Sequence, residues 1–467
     1  VQRKMSPNQD EKNESTTTTT TTQPLNDDST TQIKPSSSAT TTTTRRRPRR
    51  IIRRNKNTKT SKDPNEIPES LNQNAALQTA ISTSLPSDYD FEILKTIHRI
   101  NTSTSTHVAL QLPEGLLLYA TTLADIFRTF CPTVQNVSIL GDVTYGACCI
   151  DDLTAQSLGC DLLVHYGHSC LVPIGETVVK CLYVFVEIRV DVVHAVDCLC
   201  QTVEEGTLVF VMGTVQFRTA VVEASKLLNE RNYPSKIPQA KPLSPGEVLG
   251  CTSPANLVHD DNFKSLNNNN NSDDIVVTGR NKVMFFLADG RFHLESAMIS
   301  NPTLRALRYD PYSKTLTDEV YETQKMKSIR FQAIQSVSST NEDNKKKTFG
   351  VILGTLGRQG NPAILSQIRK LICSHGHASF VLLLSEIFPS KLKLMEESVD
   401  VWVQIACPRL SVDWGHYFNK PVLSSYELHV ALGEAEFEEV YPMDFYRVGS
   451  GKWTNYHDDN RQRKMMA

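Results

Sequence analysis

The stretch "HVALQLPEGLLLYATTLADIFRTF", residues 107–130, contains the unit that decides the fold. An apolar run from His107 ends in a turn at Gly115, and this pattern predicts a buried strand. The residues from Leu116 onward follow with the mixed apolar spacing of a helix. Because a strand, a turn and a covering helix form the repeating unit of a parallel sheet, the stretch predicts an α/β fold.

Two similar units follow along the chain. "TLVFVMGTVQF" from Thr207 precedes the helical "AVVEASKLLNE", and "FGVILGTLGRQG" from Phe349 precedes the helical "AILSQIRKLI". Both copies turn at an apolar residue followed by Gly-Thr. Similar units at three places predict three related α/β domains with parallel sheets.

A further apolar strand follows each unit. These strands are "CDLLVHYGHSCL" from Cys160, "NKVMFFLADGRF" from Asn281 and "VDVWVQIACPRL" from Val399. Polar stretches between the units predict domains at residues 88–205, 206–346 and 347–453, followed by a tail at 454–467. "NNNNNSDD", from Asn267, predicts a surface loop inside the second domain.

Residues 1–87 are predicted to form a disordered arm, because "STTTTTTTQ" and "SSSATTTTTRRRPRR" lack the apolar content that offsets chain entropy. A basic island, "RRRPRRIIRR", extends from Arg45 to Arg54. One hypothesis for the island is a solvated tail. The other is a localisation signal or a contact with RNA or the ribosome.

Composition excludes several classes of protein. A formal net charge of −2 gives no global field toward nucleic acid or membrane. No run approaches 18 apolar residues and the N-terminus is polar, so we expect neither a transmembrane helix nor secretion, and we expect a cytoplasmic protein. The odd count of 11 cysteines argues against a disulfide framework.

Common cofactor and catalytic motifs are absent from the sequence. It has no P-loop, no G-x-G-x-x-G, no C-x-x-C, no G-x-S-x-G, and no C-x-x-x-C-x-x-C of standard radical S-adenosylmethionine enzymes. Ordinary nucleotide-binding loops, zinc ribbons and ferredoxin-type clusters are therefore unsupported.

Three cysteines lie in strand-end loops or turns, one in each predicted domain. They are Cys148 in "GDVTYGACCIDD", Cys251 in "PGEVLGCTSP" and Cys407 in "IACPRLSVDWG". Each could be an incidental loop thiol. Three thiolates brought together would leave one iron of a four-iron cluster without a protein ligand, which the spacing permits but does not require.

The third loop also carries charge, because Arg409 could hold a carboxylate or pair with Asp413. In "HYGHSC", His165, His168 and Cys170 could bind zinc, but on a strand the two histidines would point to opposite faces. Hydrogen-bonded or site-lining histidines are the alternative.

The turn "GTLGRQGNP", residues 354–362, precedes a helix. Its backbone N–H groups could hold the carboxylate of an amino-acid-like ligand. A tight structural turn is the alternative.

Five motifs occur together in the order "GDVTYGACCIDD", "HYGHSCLVP", "VLGCTSP", "GTLGRQGNP" and "ACPRLSVDWG". Together they resemble the first, catalytic subunits of the eukaryotic diphthamide synthase family, the 2-(3-amino-3-carboxypropyl)histidine synthases. The resemblance covers the chain from about Asp88 to about Trp453 and leaves out the N-terminal arm.

The resemblance implies three α/β domains around a central [4Fe-4S] cluster, with one cysteine ligand from each domain. Carried over by motif, the ligands are Cys148, Cys251 and Cys407, with Cys149 as the alternative to Cys148. It also implies that S-adenosylmethionine binds the open iron and that a reduced cluster cleaves the bond from its sulfur to its γ-carbon. The resulting 3-amino-3-carboxypropyl radical would then add to a histidine of elongation factor 2.

The resemblance also implies partners: a second subunit that forms a heterodimer, elongation factor 2 as protein substrate, and an electron-donor protein. We expect no membrane and no direct nucleic acid binding. The residues predicted to position S-adenosylmethionine are Arg409, Gly354, Thr355, Gly357 and Gln359, and those predicted to line the site are His165, His168 and Asp413. The alternative functions are a scaffold subunit of the same complex, and a zinc-dependent hydrolase or binding module built on α/β repeats.

Overall fold

A computed structural model of the protein describes residues 66–259, 281–338, 346–443, 445–447, 451–455 and 457. Within these residues the strands form three larger sheets and one two-stranded pair, and helices connect most of the parallel strands. The predicted α/β class is therefore confirmed. None of the described helices has both the length and the apolar character that crossing a bilayer requires.

The first sheet is four-stranded and parallel. The elements of this part, in chain order, are α1 (Glu69–Asn72), α2 (Ala75–Ser84), β1 (Tyr89–Asp90), α3 (Ile93–Ser103), β2 (His107–Gln111), α4 (Ala120–Phe130), β3 (Asn136–Leu140), α5 (Asp152–Ser157), β4 (Leu162–Tyr166), β5 (Lys180–Val184), β6 (Glu187–Ile188) and α6 (Val192–Thr202). The strands of the sheet lie in the order β3-β2-β4-β5, while β1 pairs with β6. Every residue of β4 is buried, as expected for a strand inside a parallel sheet.

The second sheet has five strands. The elements here are β7 (Leu208–Gly213), α7 (Arg218–Glu230), β8 (Ser235–Lys236), β9 (Lys282–Leu287), α8 (Phe292–Ser300), β10 (Arg305–Asp310), β11 (Thr315–Glu319) and α9 (Thr323–Ser338). Their order is β11-β10-β9-β7-β8, and only the pairing of β11 with β10 is antiparallel.

The third sheet is four-stranded and parallel. It contains β12 (Thr348–Gly354), α10 (Pro362–Ser374), β13 (Ala378–Leu384), α11 (Pro389–Lys393), β14 (Val401–Ile405), β15 (Val422–Ser424) and α12 (Ser425–Ala431). The strand order is β13-β12-β14-β15.

The three sheets share one strand order. In each sheet the first strand along the chain lies between the second and the third, and the fourth lies beyond the third. The second sheet adds β11 at the edge beyond its fourth strand. The predicted unit strands correspond to β2, β7 and β12, and the further strands to β4, β9 and β14. In each sheet these two strands are direct neighbours, so the loops that follow them lie at the same sheet edge.

Helix α9 precedes the predicted domain boundary near residue 347, but its contacts are with elements that follow this boundary. Its Arg330 forms a buried ion pair with Glu427 of α12, at 2.6 Å from Nε to Oε1 and 2.7 Å from Nη2 to Oε2. Ile334 and Val337 of α9 share a core with Phe349 of β12. The packing therefore places α9 with the third sheet, although it precedes the predicted boundary.

The arm predicted to be disordered up to residue 87 becomes ordered earlier. Helix α2 begins at Ala75 with the Asn74 side chain accepting a hydrogen bond from the Leu77 N–H at 3.1 Å. Leu77 is fully buried and Leu85 nearly so, both in the core that covers the first sheet. These apolar residues anchor a segment whose average composition is polar. The basic island and the predicted asparagine-rich loop lie outside the described residues.

Candidate metal centre

Three loops bring the predicted cysteines into one region. Cys148 lies in the short helical turn Ala147–Cys149 after β3, Cys407 follows β14, and Cys251 lies in a turn between β8 and β9. The thiols interact electrostatically, since Cys251 and Cys407 both raise the pKa of Cys148. Cys407 likewise raises the pKa of Cys251. The three cysteines from three separate sheets therefore share one site.

The site withdraws these thiols from water. Burial raises the pKa of Cys251 to about 12 and that of Cys407 to about 11. A buried thiol keeps its proton unless a cation compensates the charge of the thiolate. Bound metal supplies this compensation and deprotonates a coordinating thiol outright, so the set is suited to binding metal.

A fourth thiol, Cys149, lies beside Cys148 with their sulfur atoms 3.9 Å apart. The hydrogen bond between them raises the pKa of Cys148 and lowers that of Cys149. Cys149 is almost completely buried, whereas Cys148 is partly exposed. Both sulfur atoms are therefore candidates for the first ligand.

Each of the three cysteine loops also has a hydrogen-bond donor at its sulfur, and for the first loop this donor comes from the Gly-rich turn. The Gln359 amide Nε2 lies 3.2 Å from the Cys149 sulfur and 3.8 Å from that of Cys148. The Thr252 hydroxyl donates to the Cys251 sulfur at 3.8 Å. The backbone N–H of Arg409 donates to Cys407 and lowers its pKa. Such donors stabilise negative charge on sulfur, which a metal-ligating thiolate carries.

The predicted Gly-rich turn packs directly on the cysteine loop. Gly357 has a φ of +55°, and a Cβ there would lie 2.4 Å from the carbonyl carbon and oxygen of Cys149. The N–H of the next residue, Arg358, donates to the carbonyl of Cys148 at 2.9 Å. The turn therefore fixes the backbone of both adjacent cysteines, and only glycine allows this approach.

Gly357→Ala is expected to displace the cysteine loop and to lower the amount of metal that the protein retains. The substitution adds a steric clash to a conformational cost of roughly 1–2 kcal/mol for a left-handed alanine. Gly376→Ala is the matched control, because Gly376 also has a positive φ, +76°, but nothing lies within 4 Å of its added Cβ. Metal content per chain, measured in both variants, checks the expectation. Equal retention in the two would show that the close contact with Cys149 is unimportant.

An ion pair holds the same turn to the first sheet. The Arg358 guanidinium binds the carboxylate of Asp152 through two contacts, 2.8 Å from Nε to Oδ1 and 2.7 Å from Nη2 to Oδ2. Asp152 is fully buried at the start of α5, three residues after Cys149. A bidentate pair of this kind fixes orientation as well as distance. The pattern "GACCIDD" thus contains, close to the two cysteines, the aspartate that binds the Gly-rich turn.

Gln111, at the end of β2, was not predicted from the sequence, and it holds the backbone of the first cysteine loop. Its Nε2 donates to the carbonyl of Cys149 at 2.8 Å, and its Oε1 accepts from the Asp151 N–H at 3.2 Å. His165 Nδ1 lies 2.9 Å from the same oxygen, so this nitrogen carries the proton. The signal in the sequence was a lone glutamine inside an apolar strand.

His165 and His168 lie closer together than the prediction allowed. Their ring centroids are 5.5 Å apart, because β4 ends at Tyr166 and Gly167 turns the chain with a φ of +78°. The expectation of opposite faces applied to a strand that continues through His168, and β4 ends before it. Burial lowers the pKa of His165 to about 3, so its ring stays neutral. Among the described residues, no three His, Cys, Asp or Glu side chains, those of the cysteine site included, are arranged to share a single metal ion.

In this structure the Arg409 guanidinium is engaged by side chains of the protein itself. Its Nε lies 3.0 and 2.9 Å from the two carboxylate oxygens of Asp413. Its Nη2 lies 2.5 Å from Glu295, and its Nη1 donates to the Phe292 carbonyl at 2.8 Å. The guanidinium also stacks on the Phe292 ring at 4.4 Å. Arg409 therefore joins the Cys407 loop to α8, and the alternative pairing with Asp413 is the observed one.

Arg409→Ala is expected to destabilise the protein by about 1–3 kcal/mol, because it leaves buried or half-buried acceptors without a donor. The thermal unfolding midpoint of the metal-free protein should fall. An unchanged midpoint together with weaker binding of S-adenosylmethionine would instead favour the carboxylate-binding role.

Three backbone N–H groups of the 354–362 turn are likewise occupied. Besides the Arg358 N–H described above, the Thr355 N–H donates to the Leu384 carbonyl at 2.9 Å and the Gln359 N–H donates to the Leu356 carbonyl at 3.3 Å. Gly354 lies so close to β14 that a Cβ would meet the Ala406 side chain at 2.6 Å. The N-terminus of α10 is capped by the Asn361 side chain. These contacts favour the tight structural turn over a cradle for a carboxylate.

Comparison with known proteins identifies the family. A family model described as "Putative diphthamide synthesis protein" matches residues 112–442. The chain belongs to this diphthamide synthesis family.

Curated relatives of this family are similar over most of their length. The 2-(3-amino-3-carboxypropyl)histidine synthase subunit 1 of Gibberella zeae is 50% identical over 82% of this chain and 77% of the relative. The protein of the same name from Homo sapiens is 48% identical over 85% of this chain and 84% of the relative. The similarity to these named synthases shows that the chain is an enzyme of diphthamide synthesis, a transferase.

Solved structures of the family share the fold. The crystal structure of Dph2 from Pyrococcus horikoshii matches with a TM-score of 0.58 and 25% identity, covering 75% of this chain and 93% of that one. A second structure of the same protein, with a 4Fe-4S cluster, matches with a TM-score of 0.58 and 24% identity over 76% and 94% of the two chains.

Proposed function

We propose that the chain transfers the 3-amino-3-carboxypropyl group of S-adenosylmethionine to a histidine of elongation factor 2, the first step of diphthamide synthesis. The observation that carries this proposal is the meeting of Cys148, Cys251 and Cys407, each with a hydrogen-bond donor at its sulfur. Family membership supports the pathway, and the names of the curated relatives support the group that is transferred.

A [4Fe-4S] cluster fits this set of donors. Dph2 from Pyrococcus horikoshii, which has the same fold, is known with such a cluster. Such a cluster would take its thiolate ligands on separate irons, so the three cysteines would not have to converge on one ion. Cys148, Cys251 and Cys407 would hold three of its irons, and the fourth would stay open for S-adenosylmethionine.

When bound and reduced, such a cluster would supply one electron to the bond between the sulfur and the γ-carbon of S-adenosylmethionine, which would break into 5′-methylthioadenosine and a 3-amino-3-carboxypropyl radical. Addition of that radical to an imidazole carbon, followed by loss of a proton and of one electron back to the oxidised cluster, would complete the transfer to the histidine. The chain's own residues hold the thiols and exclude water. Cys251 and Thr252 are buried, and the segment at 445–447 covers them. The Phe445 N–H donates to the Cys251 carbonyl at 3.0 Å, and the Tyr446 N–H donates to the Thr252 hydroxyl at 3.2 Å.

The amino-acid end of S-adenosylmethionine is proposed to lie at the exposed Thr355 side chain of the 354–362 turn, and not in a cradle of the turn's backbone N–H groups. His165 and His168 are proposed to line the neighbouring side, and both are buried. Arg409 and Asp413 are paired with each other, so they are proposed to shape the wall of the site.

We further propose that the chain works in the cytoplasm with a second subunit, an electron-donor protein and elongation factor 2. The designation "subunit 1" of the relatives supports the existence of at least one other subunit.

The proposed function is tested by detecting its product, modified elongation factor 2. With its second subunit, S-adenosylmethionine and dithionite under anaerobic conditions, the chain is expected to add one 3-amino-3-carboxypropyl group to elongation factor 2, seen by mass spectrometry of the histidine-containing peptide. Elongation factor 2 with that histidine replaced is the control. No added mass with a cluster present would contradict the proposal. Full activity of variants lacking Cys251 or Cys407 would point to the scaffold function.

A further inference from the structure

The Gln359 side chain is aimed at the sulfur atoms of the first cysteine loop. Its Nε2 lies 3.2 Å from the sulfur of Cys149 and 3.8 Å from that of Cys148. The side chain is 6% exposed. Whichever of the two adjacent cysteines binds iron, the same amide group lies within hydrogen-bond distance of its sulfur.

The position of this amide is fixed by its neighbours along the turn. Two residues before it, Gly357 contacts the Cys149 backbone closely. One residue before it, Arg358 donates its N–H to the Cys148 carbonyl at 2.9 Å and binds Asp152 with its guanidinium. Two residues after it, Asn361 caps α10. The turn is therefore held at both ends, so Gln359 approaches the sulfurs with little freedom.

Hydrogen bonds to cluster sulfur set the reduction potential of iron–sulfur centres, because they stabilise the more negative, reduced state more than the oxidised state. The other two donors at the site are less suitable for this role. The Thr252 hydroxyl also accepts from the Tyr446 N–H, and the donor at Cys407 is the backbone N–H of Arg409, whose side chain is committed to the ion pairs described above. Gln359 is a neutral side chain that brings a donor without adding charge to the site.

We propose that Gln359 is a positioning residue that raises the reduction potential of the cluster by donating its amide N–H to the thiolate of the first cysteine loop. The inference rests on the proposed function, because it requires a cluster at these cysteines. It replaces the predicted contact of Gln359 with S-adenosylmethionine by a contact with the ligand sulfur.

The experiment is a redox titration of the anaerobic complex with its second subunit, followed by electron paramagnetic resonance, with iron content measured on the same samples. Gln359→Leu removes the donor, and Gln359→Glu keeps the shape but replaces the N–H by a carboxylate oxygen. Both variants are expected to keep iron and to shift the midpoint potential to more negative values, with Glu shifting it at least as far as Leu. Gln156→Leu is the matched control, since Gln156 is exposed on α5 near the same loop, and its potential should equal that of the unchanged protein.

Two results would overturn the inference. One is an unchanged midpoint potential in Gln359→Leu with normal iron content. The other is loss of iron from both Gln359 variants in folded protein, because the side chain would then be needed to hold the cluster and not to tune it. Failure of the proposed function is distinguishable from both, because it appears in the unchanged protein, either as no added mass on elongation factor 2 or as no iron and no signal.

Discussion

Cys251→Ala is expected to abolish the retention of iron and, with it, all transfer to elongation factor 2. One of the three thiols of the proposed cluster is lost, and alanine offers no other ligand at a residue that is 8% exposed. Iron per chain after anaerobic reconstitution is the measurement. Cys131→Ala is the matched control, because Cys131 is a fully buried cysteine in the core of the first sheet, and it should keep the iron.

The result that would contradict the cysteine assignment is retained iron in Cys251→Ala at the level of the control. The same experiment on Cys148→Ala and Cys149→Ala separates the two candidates for the first ligand. We expect the larger loss from Cys148→Ala, because Cys148 directly follows Gly146-Ala147 in the family motif.

Arg330→Leu is expected to destabilise the protein by about 3–5 kcal/mol, since it leaves the carboxylate of Glu427 buried without its counter-charge. Arg330 is 1% exposed and Glu427 is fully buried. Glu427 also accepts from the Tyr441 hydroxyl at 3.0 Å and the Ser424 N–H at 2.8 Å, so the pair lies at the centre of a network. Urea unfolding followed by circular dichroism measures the loss.

The double variant Arg330→Leu/Glu427→Leu is the control for this effect. Removing both charges avoids the unpaired carboxylate, so the combined loss should be clearly smaller than the sum of the two single losses. Additive losses would show that the two side chains act independently, against the placement of α9 with the third sheet.

The fold was predictable because its strands are short apolar runs that end in turns. β7 and β9 are buried along almost their whole length, and such strands appear in the sequence as continuous hydrophobic stretches. The repeat of strand and helix then predicted three related sheets. Which sheet a connecting helix packs against was not predictable, because α9 is amphipathic in either case and its partner Glu427 lies 97 residues away.

The sequence analysis placed the end of the disordered arm too late, at residue 87, for a related reason. Composition averaged over the first residues is polar, but the few apolar side chains of α2 are enough to bind the segment to the first sheet. Leu77 is the only residue of that helix that is buried, and a single leucine gives no periodic signal.

The cysteines of the site came from the resemblance to a family, and the sequence alone only permitted them. The roles of Arg409 and of the Gly-rich turn were harder to predict, because a basic side chain and a set of N–H groups suit a bound carboxylate and a protein acceptor equally well. Only the positions of Asp413, Glu295 and Leu384 decide between these partners.

Three supporting residues carried almost no signal. Gln111 is one polar residue in a strand, Thr252 follows a cysteine, and Tyr446 lies near the end of the chain. Their importance arises from contacts over long sequence distances, such as the 194 residues between Tyr446 and Thr252.

The most direct test of the central claim is the electron paramagnetic resonance spectrum of the anaerobic complex, reduced with dithionite, before and after addition of S-adenosylmethionine. The account predicts a signal of a reduced four-iron cluster that shifts when S-adenosylmethionine binds the open iron. A four-iron signal that does not respond to S-adenosylmethionine, or the absence of iron under strict exclusion of oxygen, would contradict it.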